Sequence, residues 1–214
     1  MPVMNQPTRY GGLSQLLHWT TVLLVTAMIV IGKTGLVDAE HPGSAGFMWH
    51  GSLGVLVLAL VALRLLWSLV SPAPRLPATM TRAGRIAART MHVSLYALLI
   101  ALPLSGWIAA SSEGSHVNFF NIATLPLWQR AAPASAGPVI APRARAAPEE
   151  ADEQGEGFSK ELHELLADAL LVLVGLHVLA ALKHQFVDHD GLIVRMLPAH
   201  PAAAPAGSQR PASR

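Results

Sequence analysis

Four long apolar stretches constrain this chain more than any other feature, because each is long enough to cross a membrane. They lie at about 13–31, 50–70, 91–110 and 162–182. The hydrocarbon core of a bilayer is about 30 Å thick and needs roughly 20 helical residues to span it. In lipid, the backbone polar groups of such a segment are satisfied within a helix. The predicted fold class is therefore an all-α membrane protein, a four-transmembrane-helix bundle.

Composition supports a lipid environment and limits the chemistry of any bound group. Hydrophobic residues make up 52% of the 214 residues and charged residues 13%, whereas soluble domains carry about 25% charged residues. The chain has no cysteine. Disulfides, thiolate metal sites, iron–sulfur clusters and thioether-attached haem are thereby excluded. Any metal or cofactor must be held by histidine, methionine or acidic side chains.

The basic residues of the loops predict how the chain is oriented. The segment 71–90 contains no acid and four arginines, which are Arg75, Arg82, Arg85 and Arg89. The loop at about 111–160 mixes basic residues with several acids. Cytoplasmic loops carry an excess of Lys and Arg. We therefore expect both termini in the cytoplasm and the loop 111–160 on the exported side.

The bundle is predicted to occupy residues 9–198, with two segments that lack large apolar side chains. Residues 131–157 are mostly Ala, Pro, Gly, Arg and Glu, which predicts a disordered insertion in the exported loop. Residues 199–214 have a similar character and are predicted to form a disordered cytoplasmic tail. Just before the insertion, Phe119, Phe120 and Trp128 are expected to anchor the loop at the membrane face.

The histidines of the spans form pairs at matched depths. His163 and His177 lie fourteen positions apart in the last span, which separates them by roughly 21 Å along a helix and keeps them on one face. His18 shares the inner depth of His177, and His50 shares the outer depth of His163. Two facing imidazoles on different helices suit a six-coordinate haem. The pattern therefore predicts two b haems stacked across the membrane.

Arg64 and His92 are expected at the cytoplasmic depth of His18 and His177, whereas Asp168 is expected on a helix face that points away from the ligands. Arg64 stands fourteen residues after His50, where it either pairs with a haem propionate or extends to the membrane surface. His92 opens the third span and is open to three interpretations: a propionate partner, part of a quinone site, or a residue that caps the interface. Asp168 is expected to make a polar contact between helices.

Four segments resemble the bacterial cytochrome b561 family: RYGGLSQLLHWT, MWHGSLGVLVLALVALRLLW, MHVSLYALLIALPLSGW and LHELLADALLVLVGLHVLAALKHQFVDHDGLIVRMLP. The resemblance covers residues 9–198 apart from 131–157. It implies that His18 and His177 bind the iron of the inner haem and that His50 and His163 bind the iron of the outer haem. It also implies residence in a bacterial inner membrane.

The resemblance further implies an oxidoreductase that passes electrons between the periplasmic face and the quinone pool. In some members superoxide is oxidised to dioxygen and ubiquinone is the acceptor. The expected partners are membrane lipid, quinone, and superoxide or a periplasmic electron donor, with no nucleic acid. Three alternatives stay open: a quinone-linked anchor subunit of a dehydrogenase or hydrogenase, a histidine-lined transporter without haem, and a structural assembly protein.

Overall fold

The computed structural model describes residues 2–34, 44–77, 80–128 and 147–197, with the backbone alone for 147–156. Its four long helices are α1 (Gly12–Lys33), α2 (Ala45–Val70), α3 (Arg82–Ser112) and α4 (Ala147–Phe186). All four contain a stretch long and apolar enough to cross a membrane. The predicted all-α membrane fold with four spans is confirmed.

Two helices begin well before their apolar spans. Helix α3 begins at Arg82 because the Thr81 hydroxyl accepts a hydrogen bond from the Gly84 backbone N–H at 3.1 Å, as N-terminal caps do. Helix α4 begins at Ala147, so residues 147–157 differ from the disorder expected there. That stretch contains four Glu and two Ala, which are strong helix formers. Residues 131–146 and the tail 199–214 lie outside the described residues.

The helices pack in chain order, and α4 is the least enclosed of them. Helix α1 packs on α2, α2 on α3, and α3 on α4, and these three pairs make the main backbone contacts among the helices. Only 6% of the most apolar window of α4 is buried, against 22% in α1. The interior between α4 and the first two helices is therefore thinly filled by protein.

One small apolar cluster fills the middle of the bundle, and we call it the midplane plug: Val25, Val57, Val61 and Leu170. Val25, Val57 and Leu170 each lie seven positions after a histidine of the predicted ligand set. Seven residues are close to two helical turns, so each of these three residues shares a helix face with its histidine about 10 Å away. The plug therefore separates two groups of histidines at opposite ends of the bundle.

A two-residue hairpin covers one end of the bundle, which we call the hairpin end. Strand β1 (Asn118–Phe119) pairs antiparallel with β2 (Ala123–Thr124). The turn places Phe120 at φ 47° and Asn121 at φ 57°, as the turns that suit short hairpins require. The Ser52 hydroxyl of α2 is fully buried, donates to the Asn118 carbonyl at 2.8 Å and accepts from the Phe120 N–H at 2.9 Å. These two bonds fix the hairpin on α2.

Residues 187–197 return to the start of α1 at the opposite end, which we call the terminal end. The Trp19 indole N–H donates to the Met196 carbonyl at 2.9 Å, and the Gln15 amide donates to the Leu197 carbonyl at 3.1 Å. The segment contains a short 3₁₀ helix, Val194–Met196. The last described residues thus close the bundle against its first helix.

Candidate cofactor sites

At the hairpin end, α2 and α4 bring two imidazoles close together. The ring centroids of His50 and His163 lie 6.1 Å apart, with their planes at 76°. Ser105 of α3 lies beside His163, with its hydroxyl oxygen 3.0 Å from Nδ1. We call these three residues the hairpin-end cluster. It contains two imidazoles, one hydroxyl and no charged side chain.

The hairpin-end cluster has the dimensions of a bis-imidazole metal site. A histidine–metal bond of about 2.0 Å and a half-ring of roughly 1.1 Å place the centroids of two opposed imidazoles roughly 6 Å apart. Within the described residues, no protein hydrogen bond reaches the buried Nδ1 atom of His50, so no protein partner holds this imidazole in another role. The residues present therefore fit a metal held between His50 and His163.

Gly106 shows how closely α3 approaches the ring of His163. A Cβ at this position would lie 2.9 Å from Cε1 of that ring. Helix α3 passes Pro103 without a break just before this contact. The absence of a side chain at Gly106 therefore lets α3 support the imidazole directly.

At the terminal end, three imidazoles and one guanidinium lie close together. The rings of His92 and His177 lie 5.3 Å apart with their planes at 84°. Arg64 stacks over the ring of Tyr96, with Cζ 5.5 Å from the centroid. His18 lies within electrostatic range of Arg64, His92 and His177. We call these five residues the terminal-end cluster.

The two predicted ligands at the terminal end lie in one cluster, but their rings are not in contact. In the described part of the chain, His177 has its ring contact with His92, and the ring contact of His18 is with its neighbour Trp19 at 5.3 Å. The His92 ring is too close to His177 for a metal between them, since such a pair needs roughly 6 Å. The Nδ1 atom of His18 is buried without a partner among the described residues. His18 is therefore the more suitable second ligand for a group bound by His177.

Arg64 provides a positive charge at the terminal end. Its guanidinium has no acidic partner within the described residues and lies within electrostatic range of His18 and His177. A buried or half-buried arginine in a membrane span needs an anionic partner. A carboxylate carried by a bound cofactor would meet this need.

Asp168, His92 and Ser105 are three further polar residues of the helices. The expected helix–helix contact of Asp168 is confirmed, because its carboxylate accepts a hydrogen bond from the Lys33 ammonium of α1. His92 is exposed except where it meets His177, and its Nδ1 lies 2.6 Å from the Ala88 carbonyl. Sequence reasoning did not identify Ser105. Its only signal was a hydroxyl placed between Pro103 and the glycine that touches His163.

A third polar cluster follows α4 and is explained by the structure of the chain itself. His184, Asp188 and Asp190 bring potential metal-binding atoms within 4.8 Å of one another. The Lys183 ammonium, however, donates to both carboxylate oxygens of Asp188 at 2.6 and 2.8 Å, and this bond holds the pKa of Asp188 below its usual value. A cation already lies at this cluster, which stabilises the exit from α4.

An open apolar groove of about 510 Å³ runs along the outside of α3 near His92. It extends from Ala83 to Ser94 on α3, with Leu173 of α4 on the other side. Its walls are almost entirely apolar. The groove can take a hydrocarbon chain that lies in the membrane.

Comparison with known proteins gives one family and several similar relatives. The model of the prokaryotic cytochrome b561 family matches residues 9–199. Cytochrome b561 homolog 2 of Escherichia coli (strain K12) is 31% identical over 204 residues, which cover 92% of this chain and 95% of that protein. The probable superoxide oxidase CybB of Yersinia pestis is 29% identical over 191 residues, 89% of this chain and 96% of that protein.

Proposed function

The chain belongs to the prokaryotic cytochrome b561 family, and from this membership we propose that it is a dihaem cytochrome that oxidises superoxide and reduces ubiquinone. The family consists of membrane electron-transfer proteins that bind b-type haem. The observation that carries the proposal is the opposed pair of His50 and His163 rings at 6.1 Å. When bound, haem b supplies one-electron transfer.

Four histidines hold the two haems in this proposal. His50 and His163 bind one iron at the hairpin end, and His18 and His177 bind the other at the terminal end. Arg64 pairs with a propionate of the haem at the terminal end. The midplane plug lies between the two ligand pairs and keeps them at a fixed separation. Axial ligation and a dry interior are the properties that the protein contributes.

The proposed reaction balances with one-electron steps. Two superoxide anions yield two dioxygen molecules and two electrons, and one ubiquinone takes up those two electrons and two protons to form ubiquinol. Superoxide needs to approach only the edge of the hairpin-end cluster, where the hairpin lies over His50. One supporting observation is the likeness to a protein described as a probable superoxide oxidase.

The quinone is proposed to bind at the terminal end beside His92. The groove along α3 offers an apolar surface to an isoprenoid tail. His92 follows Met91, which lines the groove, and its ring contact with His177 brings it next to the ligand pair. A quinone ring there would lie within reach of an electron from the terminal-end cluster.

We place the protein in a bacterial inner membrane with the terminal end in the cytoplasm. The arginines of the segment between α2 and α3 support this orientation, because cytoplasmic loops are enriched in Lys and Arg. The hairpin end then faces the periplasm, where superoxide or another periplasmic donor would arrive. Membrane lipid surrounds the exposed apolar faces of the four helices.

The first experiment counts haem in the detergent-purified full chain by the pyridine haemochrome method. The expected result is about two b haems per chain, one for each histidine pair. A value of about one haem per chain would mean that only one of the two histidine pairs binds haem. Protein that contains no haem after expression with ample haem supply would end the cytochrome proposal for this chain.

The second experiment separates superoxide from other donors. Oxidised protein in detergent is mixed with superoxide generated enzymatically, and haem reduction is followed by the α-band absorbance, with and without ubiquinone. We expect reduction by superoxide and reoxidation by ubiquinone. Rapid reduction by ubiquinol together with no response to superoxide would contradict the superoxide reaction and leave a quinol-linked cytochrome.

An anchor subunit for a dehydrogenase or hydrogenase is the second candidate. It is favoured by apolar exposure at the hairpin end, where Ile122 is 81% exposed and Trp128 is 61% exposed. A periplasmic enzyme that co-purifies and restores turnover would support it. The transporter alternative requires a helix break at the midplane, whereas α3 runs without interruption from Arg82 to Ser112.

A further inference from the structure

Ser105 makes two hydrogen-bond contacts that together determine where protons lie. Its side chain is buried, with 7% exposed. The hydroxyl oxygen lies 2.9 Å from the Leu102 carbonyl oxygen and 3.0 Å from Nδ1 of His163. A hydroxyl has one proton to donate, and a carbonyl can only accept. The proton of Ser105 therefore points to Leu102, and a lone pair of the same oxygen faces Nδ1.

The imidazole of His163 must then carry its proton on Nδ1. A neutral imidazole has one N–H and one nitrogen with a free lone pair. The Leu102 carbonyl also accepts from this imidazole, so Nδ1 carries the proton between two acceptors, Ser105 and Leu102, and the free lone pair is on Nε2. Gly106 supports the same ring from α3, because a Cβ there would lie 2.9 Å from Cε1. Both the tautomer and the position of the ring are thus set by α3 before any metal binds.

We propose that Ser105 is a positioning residue, which together with the Leu102 carbonyl makes Nε2 the iron-binding atom of His163 and lowers the reduction potential of the haem at the hairpin end. This inference rests on the proposed function, because it requires His163 to bind iron. Metal-bound histidines usually donate their other N–H to an acceptor, which makes the ligand more basic. A more basic ligand favours the oxidised iron, so the potential falls.

The contact with His163 distinguishes Ser105 from the other serines of α3. The Ser111 hydroxyl also donates to a carbonyl of its own helix, Trp107, at 2.7 Å, and such bonds are common for serine in helices. Ser111 has no contact with a histidine among the described residues. It therefore provides a matched control for loss of a helix-bonded hydroxyl.

The opposite ligand offers no comparable acceptor. Within the described residues, the Nδ1 atom of His50 has no hydrogen-bond partner. The effect of Ser105 on the hairpin-end pair should therefore not be masked by a second hydroxyl or carboxylate. It should also stay at this end, because the midplane plug separates the two clusters.

The test compares the full chain with Ser105→Ala, Ser105→Cys and Ser111→Ala, each loaded with haem and titrated potentiometrically in detergent. We expect the hairpin-end potential to rise in Ser105→Ala by about threefold in the oxidised-to-reduced equilibrium, which is roughly 30 mV at 59 mV per tenfold. Ser105→Cys should rise less, since a thiol is a weak acceptor. Ser111→Ala and the terminal-end potential should not change. His50→Ala protein, which should keep only the terminal-end haem, identifies the two potentials.

Two kinds of result would overturn the inference. Equal potentials in Ser105→Ala and Ser111→Ala would assign Ser105 a structural role alone. An equal shift of both haems would indicate a general disturbance of the bundle. If Ser105→Ala does not load haem, the Ser105→Cys titration decides between these outcomes. Wild-type protein with fewer than two haems would instead contradict the proposed function, which separates the two failures.

Discussion

Each end of the bundle carries a pair of predicted histidine ligands, but the side chains that surround the two pairs differ. The hairpin-end cluster holds two imidazoles that face each other at 6.1 Å, with Ser105 beside one of them. The terminal-end cluster holds a third imidazole, His92, together with Arg64 stacked on Tyr96. Helix periodicity explains the likeness of the two ends. Single residues outside the histidine pairs, such as Ser105, Arg64 and His92, explain their difference.

The difference gives the two ends different electrostatic character. A positive charge near a redox centre stabilises the added electron and raises the potential, whereas a more basic ligand lowers it. In the proposed cytochrome, Arg64 would act at the terminal end and Ser105 at the hairpin end. In the proposed cytochrome, electrons would therefore move downhill from the hairpin end to the terminal end. This direction agrees with a periplasmic donor and a quinone acceptor near His92.

Removal of a single haem ligand is expected to have the largest effect, because it should abolish haem binding at one end of the bundle only. His163→Ala should reduce haem content from about two per chain to about one, and His177→Ala should do the same at the other end, because a low-spin b haem needs both axial ligands. Haemochrome content and redox titration measure this. Each variant should retain the potential that the other loses. Retention of both potentials in either variant would contradict the pairing.

Loss of the charge at the terminal end should have the next largest effect. Arg64→Gln is expected to lower the terminal-end potential by about tenfold in the equilibrium, which is roughly 59 mV, because a positive charge near the haem is removed. Redox titration measures the shift. Arg89→Gln, which changes an exposed arginine of α3, serves as the control. An unchanged terminal-end potential in Arg64→Gln would remove the electrostatic difference between the ends.

Substitution of His92 should sharpen the assignment of ligands at the terminal end. We expect His92→Gln to keep about two haems per chain, because the His92 ring is too near His177 to share a metal with it. Its effect should appear as slower reoxidation by ubiquinone in stopped-flow measurements. A fall to about one haem would mean that His92, and not His18, binds the iron with His177.

Acid should weaken the exit from α4 at the terminal end by a small amount. Hydrogen bonds from Lys183 lower the pKa of Asp188 from 3.8, so the contribution of Asp188 to stability is present above that value and is lost as pH falls through the lowered pKa. Thermal unfolding of Asp188→Asn should therefore occur slightly below wild type at neutral pH, and the two should converge in acid. A difference that does not shrink as the pH is lowered below 3.8 would exclude this ion pair as its cause.

Much of the fold was predictable because it depends on local composition and helix periodicity. Apolar length predicted four spans, and the fourteen-residue spacing of His163 and His177 predicted two depths. The beginning of α4 at Ala147 was not predicted. The Glu-rich stretch that follows has the polar, low-complexity composition of a disordered segment, although Glu also favours a helix. Composition alone cannot distinguish those two outcomes.

The details of the sites were less predictable because they depend on how the helices are rotated against one another. The contact between Ser105 and His163 joins α3 to α4 and leaves no pattern in either helix. The hairpin has only two residues in each strand, and its position comes from the buried Ser52 hydroxyl on α2. The contact of His92 with His177 likewise depends on the close packing of α3 on α4.

The small size of the midplane plug has a consequence for protein turnover. The plug and the partly buried side chains packed on it come mostly from α1, α2 and α3, and within the described residues α4 adds only Leu170 and Val174. A group that binds only the folded chain stabilises it in proportion to its free concentration and affinity, and a less stable chain is removed sooner by cellular proteases. We expect the half-life of this protein after synthesis is blocked to follow the haem supply of the cell. Its abundance would then report haem status without any change in transcription.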